Sequence, residues 1–186
     1  LVMGDVRERP TALLPGAKHL LLAKQYPAYD DLYRYGFVHS RLRGYRQRGV
    51  DVDVFRINAD EPCRFREFEN IDVTQGDRDL LDLALRTGGY QTLLVHLLDT
   101  PMWEAIRGHL DRLKVILWVH GAEIQKWSRR GFDEENLEPA EIERRIKLGE
   151  QRVLLWREVL SDPHPNLHFV FVSDYLAQQA VVFGVG

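Results

Sequence analysis

The sequence predicts an α/β domain with a mainly parallel β-sheet and helices on both faces, a Rossmann-like three-layer arrangement. Three observations predict it. Short apolar runs, rich in β-branched and bulky residues, recur along the chain and have the length of buried strands. Segments with helical spacing of apolar residues separate those runs, as in a chain of βα units. One run, Val115 to Val119, is apolar throughout, which marks a strand covered on both faces in a parallel sheet.

Taken in order, His19-Leu20-Leu21-Leu22-Ala23 is the first buried strand, ended by the Tyr26-Pro27 turn signal. A loop rich in tyrosine and aspartate follows, from Ala28 to Tyr35. Gly36 then opens a helix over roughly residues 37–48, which Gly49 terminates. Val50 to Ile57 alternates apolar and polar residues, the pattern of a strand exposed on one face. Residues 58–76 read as irregular, apart from a short strand at Ile71-Asp72-Val73.

Asp77 is the N-cap of a helix carrying Leu80, Leu81 and Ala84, closed by Gly88-Gly89. Thr92 to Leu97 is another buried strand, and Thr100 and Pro101 supply a cap and first position for the next helix. Met102, Ile106, Leu110 and Leu113 share one stripe of that helix. The strand from Lys114 follows and stops at His120-Gly121. From Glu138 onward, Ile142, Ile146, Gly149, Val153, Trp156 and Leu160 recur at three- and four-residue steps, the stripe of a core-facing helix. Asp162-Pro163-His164-Pro165 breaks it, and His168 to Val172 is the last strand, with Ser173 as the next cap.

The 186 residues suit one sizeable domain. Lysine and arginine number 25 against 28 aspartates and glutamates, a net charge of −3. No broad pull toward nucleic acid or anionic lipid follows. Cys63 is the only cysteine, so an internal disulfide is impossible and a cysteine metal site is not expected. No apolar run reaches membrane-spanning length, and a cytoplasmic setting is the default expectation. Residues 1–16, with Arg7, Arg9, Pro10, Pro15 and Gly16, read as a linker from a preceding region, and residues 17–186 as the domain. Both ends, Leu1 and Phe183-Gly184-Val185-Gly186, read as those of a piece of a longer protein. Nucleophile-elbow, phosphate-loop and zincin motifs are all missing.

His120 is the leading functional candidate. In an open parallel sheet ligands bind beyond the carboxyl ends of the strands, and His120 stands at that edge. Gly121 lets the backbone turn there or a ligand approach closely. His96 ends a second strand and either lines the same crevice or is a buried, hydrogen-bonded histidine. Glu123 follows His120 closely, as do Lys126 and Trp127. His39, Arg41 and Arg43 on the first helix, with Arg34 before it, are cations within reach of a phosphate or a sugar acid. Tyr26, Tyr29, Asp30 and Tyr33 form an aromatic and acidic loop suited to sugar hydroxyls.

Four places in the chain resemble the N-terminal domain of a GT-B-fold glycosyltransferase, of the large family 4 group of retaining enzymes. They are residues 19–49 with Gly36-Phe37-Val38-His39, then Leu94-Val95-His96, Val119-His120-Gly121, and Phe171-Val172-Ser173-Asp174. The likeness runs over about residues 18–185. It implies transfer of a sugar from a nucleotide-sugar donor to a hydroxyl of a sugar, polysaccharide or glycolipid acceptor. This domain would form the acceptor side, with His120 catalytic and Gly36, His96, Gly121, Glu123, Tyr29 and Asp30 binding substrate. The donor would sit mainly on a C-terminal domain that this sequence lacks, so the piece alone is expected to be inactive. No metal and no further cofactor are expected. The chain departs from many members in having Gly36 alone where a pair of glycines approaches the donor diphosphate.

Two other readings compete. One is a flavodoxin-like binding or regulatory domain without catalysis. The other is a metal-dependent hydrolase using His96, His120 and Glu123.

Overall fold

The computed structural model describes residues 17–124, 137–161 and 164–178. Seven strands form one sheet: β1 (His19–Ala23), β2 (Val52–Ile57), β3 (Arg64–Phe68), β4 (Ile71–Gly76), β5 (Thr92–His96), β6 (Lys114–Val119) and β7 (Leu167–Phe171). Their order is β3-β4-β2-β1-β5-β6-β7. Every neighbouring pair is parallel except β3 with β4. The helices are α1 (Gly36–Arg46), α2 (Arg78–Thr87), α3 (Thr100–Ile106) and α4 (Pro139–Ser161). Without β3, the six parallel strands run in the doubly wound Rossmann order, which reverses between β1 and β5. The α/β class and the three-layer arrangement stand.

Side chains alternate across the sheet because successive residues of a strand point to opposite faces. One face packs Leu20, Leu22, Leu93, Val95, Leu117 and Val119 against α2, α3 and α4. The other packs Leu21, Val52, Val54, Leu94 and Trp118 against Val38 and Leu42 of α1. Burying one such leucine contributes about 2 kcal/mol, so α1 is held by a small apolar patch of a few residues.

Four expectations need correction. The short strand expected at Ile71 to Val73 is the start of β4, but the rest of residues 58–76 is not all irregular: β3 and β4 form a hairpin whose turn residues, Glu69 and Asn70, have φ of 47° and 61°. That left-handed pair is what a tight two-residue hairpin turn requires. β2 is not exposed on one face, because β4 and β1 flank it and both layers cover it. Its Asp53 accepts a hydrogen bond from Tyr90 Oη at 2.9 Å, and its Arg56 is 6% exposed. Asp99, not Thr100, caps α3, its carboxylate accepting from Met102 N at 3.1 Å. The α4 stripe is core only toward its C-terminal half, where Trp156 is buried while Ile146 is exposed.

The expected caps at Asp77 and Ser173 form: Leu80 N donates to Asp77 and Leu176 N to Ser173 Oγ. Among the described residues no helix is long and apolar enough to cross a membrane. The linker expected at residues 1–16 and the segment 183–186 lie outside the described residues.

Candidate functional site

Register brings the two histidines together. Parallel pairing aligns His96 of β5 with Trp118 of β6, and His120 lies one pleat beyond Trp118 on the same face. His120 therefore reaches back to His96, Nε2 to Nδ1, at 3.0 Å. Trp118 stacks on His96, with ring centroids 5.0 Å apart and planes 13° apart. Phe37, from the first turn of α1, covers the pair from the other layer at 4.8 Å from His120 and 6.2 Å from His96. Arg41, one turn further along α1, lies over Trp118 at 5.1 Å.

Burial dominates the electrostatics. His96 is fully buried, which pushes its pKa down to about 3, with His120 and Arg41 adding repulsion. Burial, then Arg41, also lowers His120. Both rings are therefore neutral at neutral pH, and one N–H bridges them. Either His96 donates and His120 carries its own proton on Nδ1, or His120 donates and Nδ1 is a bare acceptor. In both tautomers His120 Nδ1 is the atom left for a ligand. Among the described residues His96 Nε2 is buried without a hydrogen-bond partner.

The backbone after β6 is shaped to hold this ring. Gly121 has φ of 103°, a left-handed value that favours glycine. The turn carries Glu123 back, so that its Oε1 accepts from His120 N at 2.7 Å. Across the crevice, Lys24 just beyond β1 pairs with Asp99 beyond β5 at 3.2 Å. Burial raises the Tyr35 phenol, with Asp99 and Glu123 adding to the shift. Tyr35 and Leu97 have φ of 52° and 57°, two strained non-glycine residues beside the switch point. Such strain costs of order 1–3 kcal/mol each and gathers at functional sites.

The start of α1 differs from its neighbours. Asp77 and Asp99 cap α2 and α3, whereas Tyr35 gives α1 no side-chain cap, and its first turn holds no acidic residue. A Cβ added at Gly36 would meet open space. Free N–H groups and the positive helix end suit an anion there.

The structure thus brings His120, His96, Gly121 and Glu123 together, and sets Gly36 beside Phe37 at the same edge. It turns Tyr29 to the hairpin, where its ring meets Phe68 and its hydroxyl meets Glu67 and Glu69 N. Asp30 lines a separate cavity with Arg34 and Arg56. His39 is a buried tie: Tyr26 Oη lies 2.8 Å from Nδ1 and Glu69 2.9 Å from Nε2. Arg43 joins Glu69, and Arg34 pairs with Asp31. Lys126 and Trp127 lie outside the described residues. Among the described residues no three histidine, cysteine or acidic side chains are grouped to hold a metal. His96 and His120 spend ring nitrogens on each other, which does not fit the hydrolase reading.

Phe37, Trp118, Tyr35 and the Lys24–Asp99 pair were not singled out from the sequence. Only Phe37 had a signal, its place directly after Gly36 in the resemblance. In comparisons with known proteins, no family model matches this chain, and no curated protein matches it.

Proposed function

We propose that this domain is the acceptor side of a nucleotide-sugar-dependent glycosyltransferase, with His120 at the reacting centre. The observation that carries the reading is the pair of neutral, hydrogen-bonded imidazoles at the switch point, beside an uncapped helix start. Glycosyl transfer breaks the bond from the sugar's anomeric carbon to the diphosphate oxygen and forms one to the acceptor oxygen. The acceptor hydroxyl loses its proton, and the nucleoside diphosphate leaves with the bonding electrons. Two needs follow: a polar group that holds the hydroxyl in line, and positive potential near the leaving phosphate.

His120 meets the first need in the tautomer whose Nε2–H donates to His96 Nδ1, because only there is Nδ1 a bare acceptor that can take the hydroxyl's proton. His96 fixes that ring through the Nδ1–Nε2 bond, and Glu123 fixes its backbone. The N-terminus of α1 and Arg41 meet the second need. The donor's nucleotide belongs to a second Rossmann-like domain in this reading, and the enzyme works in the cytoplasm without a metal. Retention of configuration rests on the resemblance to the family 4 group as a whole. A flavodoxin-like domain is disfavoured, because that fold has the order 2-1-3-4-5 and here β4 lies outside β2.

The test is His120→Ala in the enzyme carrying both domains, followed by nucleoside diphosphate release. We expect kcat/KM to fall by about 10²–10⁴, the usual contribution of a positioned acid–base group, with the melting temperature kept. Unchanged turnover would end the assignment.

A further inference from the structure

The carboxyl edge of the sheet carries a second polar cluster that chemistry at His120 leaves unused. Register aligns Gln75 with Arg56, Arg56 with Ala23, and Ala23 with His96. Arg56 and His96 therefore sit in one row on one face, two strand spacings apart, about 10 Å. Arg56 is 6% exposed and Gln75 fully buried. Arg56 donates to Gln75 Oε1, Glu61 Oε1 and the Lys24 carbonyl, and Gln75 donates to Glu61 Oε2 and the Pro62 carbonyl. The guanidinium is thereby fixed before any ligand arrives. Hydrogen bonding from Gln75, with Arg56 and Arg66 nearby, holds the Glu61 carboxyl below its usual range.

Over this cluster opens a cavity of about 290 Å³, walled by Tyr26, Asp30, Arg34, Arg56, Glu61 and Arg66, with Asp31 beside them. Its size is at the lower end for small-molecule sites, room for one sugar ring. Three guanidinium groups face three carboxylates, so the wall has no net charge to select a phosphate. An apolar guest would strand those charges. A hydroxyl both donates and accepts, and vicinal hydroxyls match fixed donors interleaved with acceptors.

We infer that this cavity seats a neutral sugar residue, and that the acceptor at His120 is a saccharide of at least two residues. Strand spacing sets that lower bound, because His120 stands past β6, three strand spacings or about 14 Å from the Arg56 strand, too far for one ring to reach. The acceptor part of the inference rests on the transferase reading above; occupation of the cavity by sugar does not.

The experiment observes the arginine Nε–Hε resonances of the chain during titration with a panel of neutral disaccharides. Their methyl monoglycosides and inorganic phosphate serve as separate arms. A disaccharide is expected to shift the Arg56 and Arg66 signals and to bind about tenfold or more tighter than its monoglycoside. Asp30→Asn, at an exposed position, with Arg66→Gln, at a half-buried one, is expected to weaken that binding by about tenfold or more, while the fold persists, since hydrogen bonds to charged groups are lost. Shifts from inorganic phosphate alone, or none across the panel, would overturn the seat. If disaccharide fills the cavity while His120→Ala spares turnover, the transferase reading falls and the seat stands. If His120→Ala abolishes turnover while no disaccharide shifts Arg56, the seat falls and the transferase reading stands.

Discussion

Along the row that joins Gln75, Arg56, Ala23, His96 and Trp118, the two ends treat buried polar atoms in opposite ways. On the β2–β4 side, each side-chain nitrogen and oxygen of Arg56 and Gln75 has a protein partner. On the β5–β6 side, His96 Nε2 and Trp118 Nε1 are buried with none among the described residues, and so is Arg41 Nε above them. Each orphaned group costs about 1–3 kcal/mol, and the strained Tyr35 and Leu97 lie at the same place. Stability is thus conceded where His120 faces the crevice and kept where Arg56 braces the hairpin. The difference separates imidazoles left short of partners at the crevice from a guanidinium already tied to the protein.

The largest break in that contrast comes from pH. His96 has a folded pKa of about 3 against about 6.5 in the unfolded chain. The folded state therefore binds fewer protons in the window between those values. Its contribution is complete above the unfolded pKa and is lost as pH falls toward 3. We expect His96 alone to cost about 3 kcal/mol between pH 7 and pH 4, with His120 adding in the same direction. Urea unfolding of the wild type and His96→Leu at both pH values reads this as a difference in slope. Parallel losses in the two proteins would remove the case for a strongly depressed imidazole.

A smaller effect is expected at the paired end. Arg56→Met keeps much of the volume but leaves Gln75 Oε1 buried and unpaired, for a loss of about 2 kcal/mol. The loss should be almost the same at pH 7 and pH 8, unlike the His96 response below pH 6. A change within 0.5 kcal/mol of zero, about the scatter of ordinary surface substitutions, would mean that the network does not brace the hairpin.

How these two ends read in the sequence follows from the same physics. His96 and His120 were visible because each terminates an apolar run, and the parallel sheet places such ends at its ligand edge. Arg56 was hidden, because Val50 to Ile57 looks like a half-exposed strand until β4 is laid beside it. β4 was legible only at Ile71 to Val73 and its hairpin with β3 was not, since the turn, Glu69-Asn70, lacks the glycine that usually marks two positive φ values. The partner strand, Arg64 to Phe68, carries three charges in five residues, as edge strands do. Trp118 and Phe37 could not be assigned to the imidazoles, because only strand register and the seating of α1 decide which rings meet.

Gly36→Ala has the smallest expected effect on the fold and the narrowest reach into the site. Among the described residues no contact lies within 4 Å of the new methyl, and Gly36 is not among the glycines with positive φ. Its stability should stay within about 0.5 kcal/mol of the wild type. The methyl would nevertheless occupy the space through which an anion approaches the uncapped N–H groups of α1. In the two-domain enzyme we expect the KM for the nucleotide-sugar to rise by about tenfold, the loss of one charge-assisted contact, with the acceptor KM unchanged. Should both constants hold at wild-type values, the helix start serves only to begin α1. The crevice would then rest on His120 and Arg41 alone.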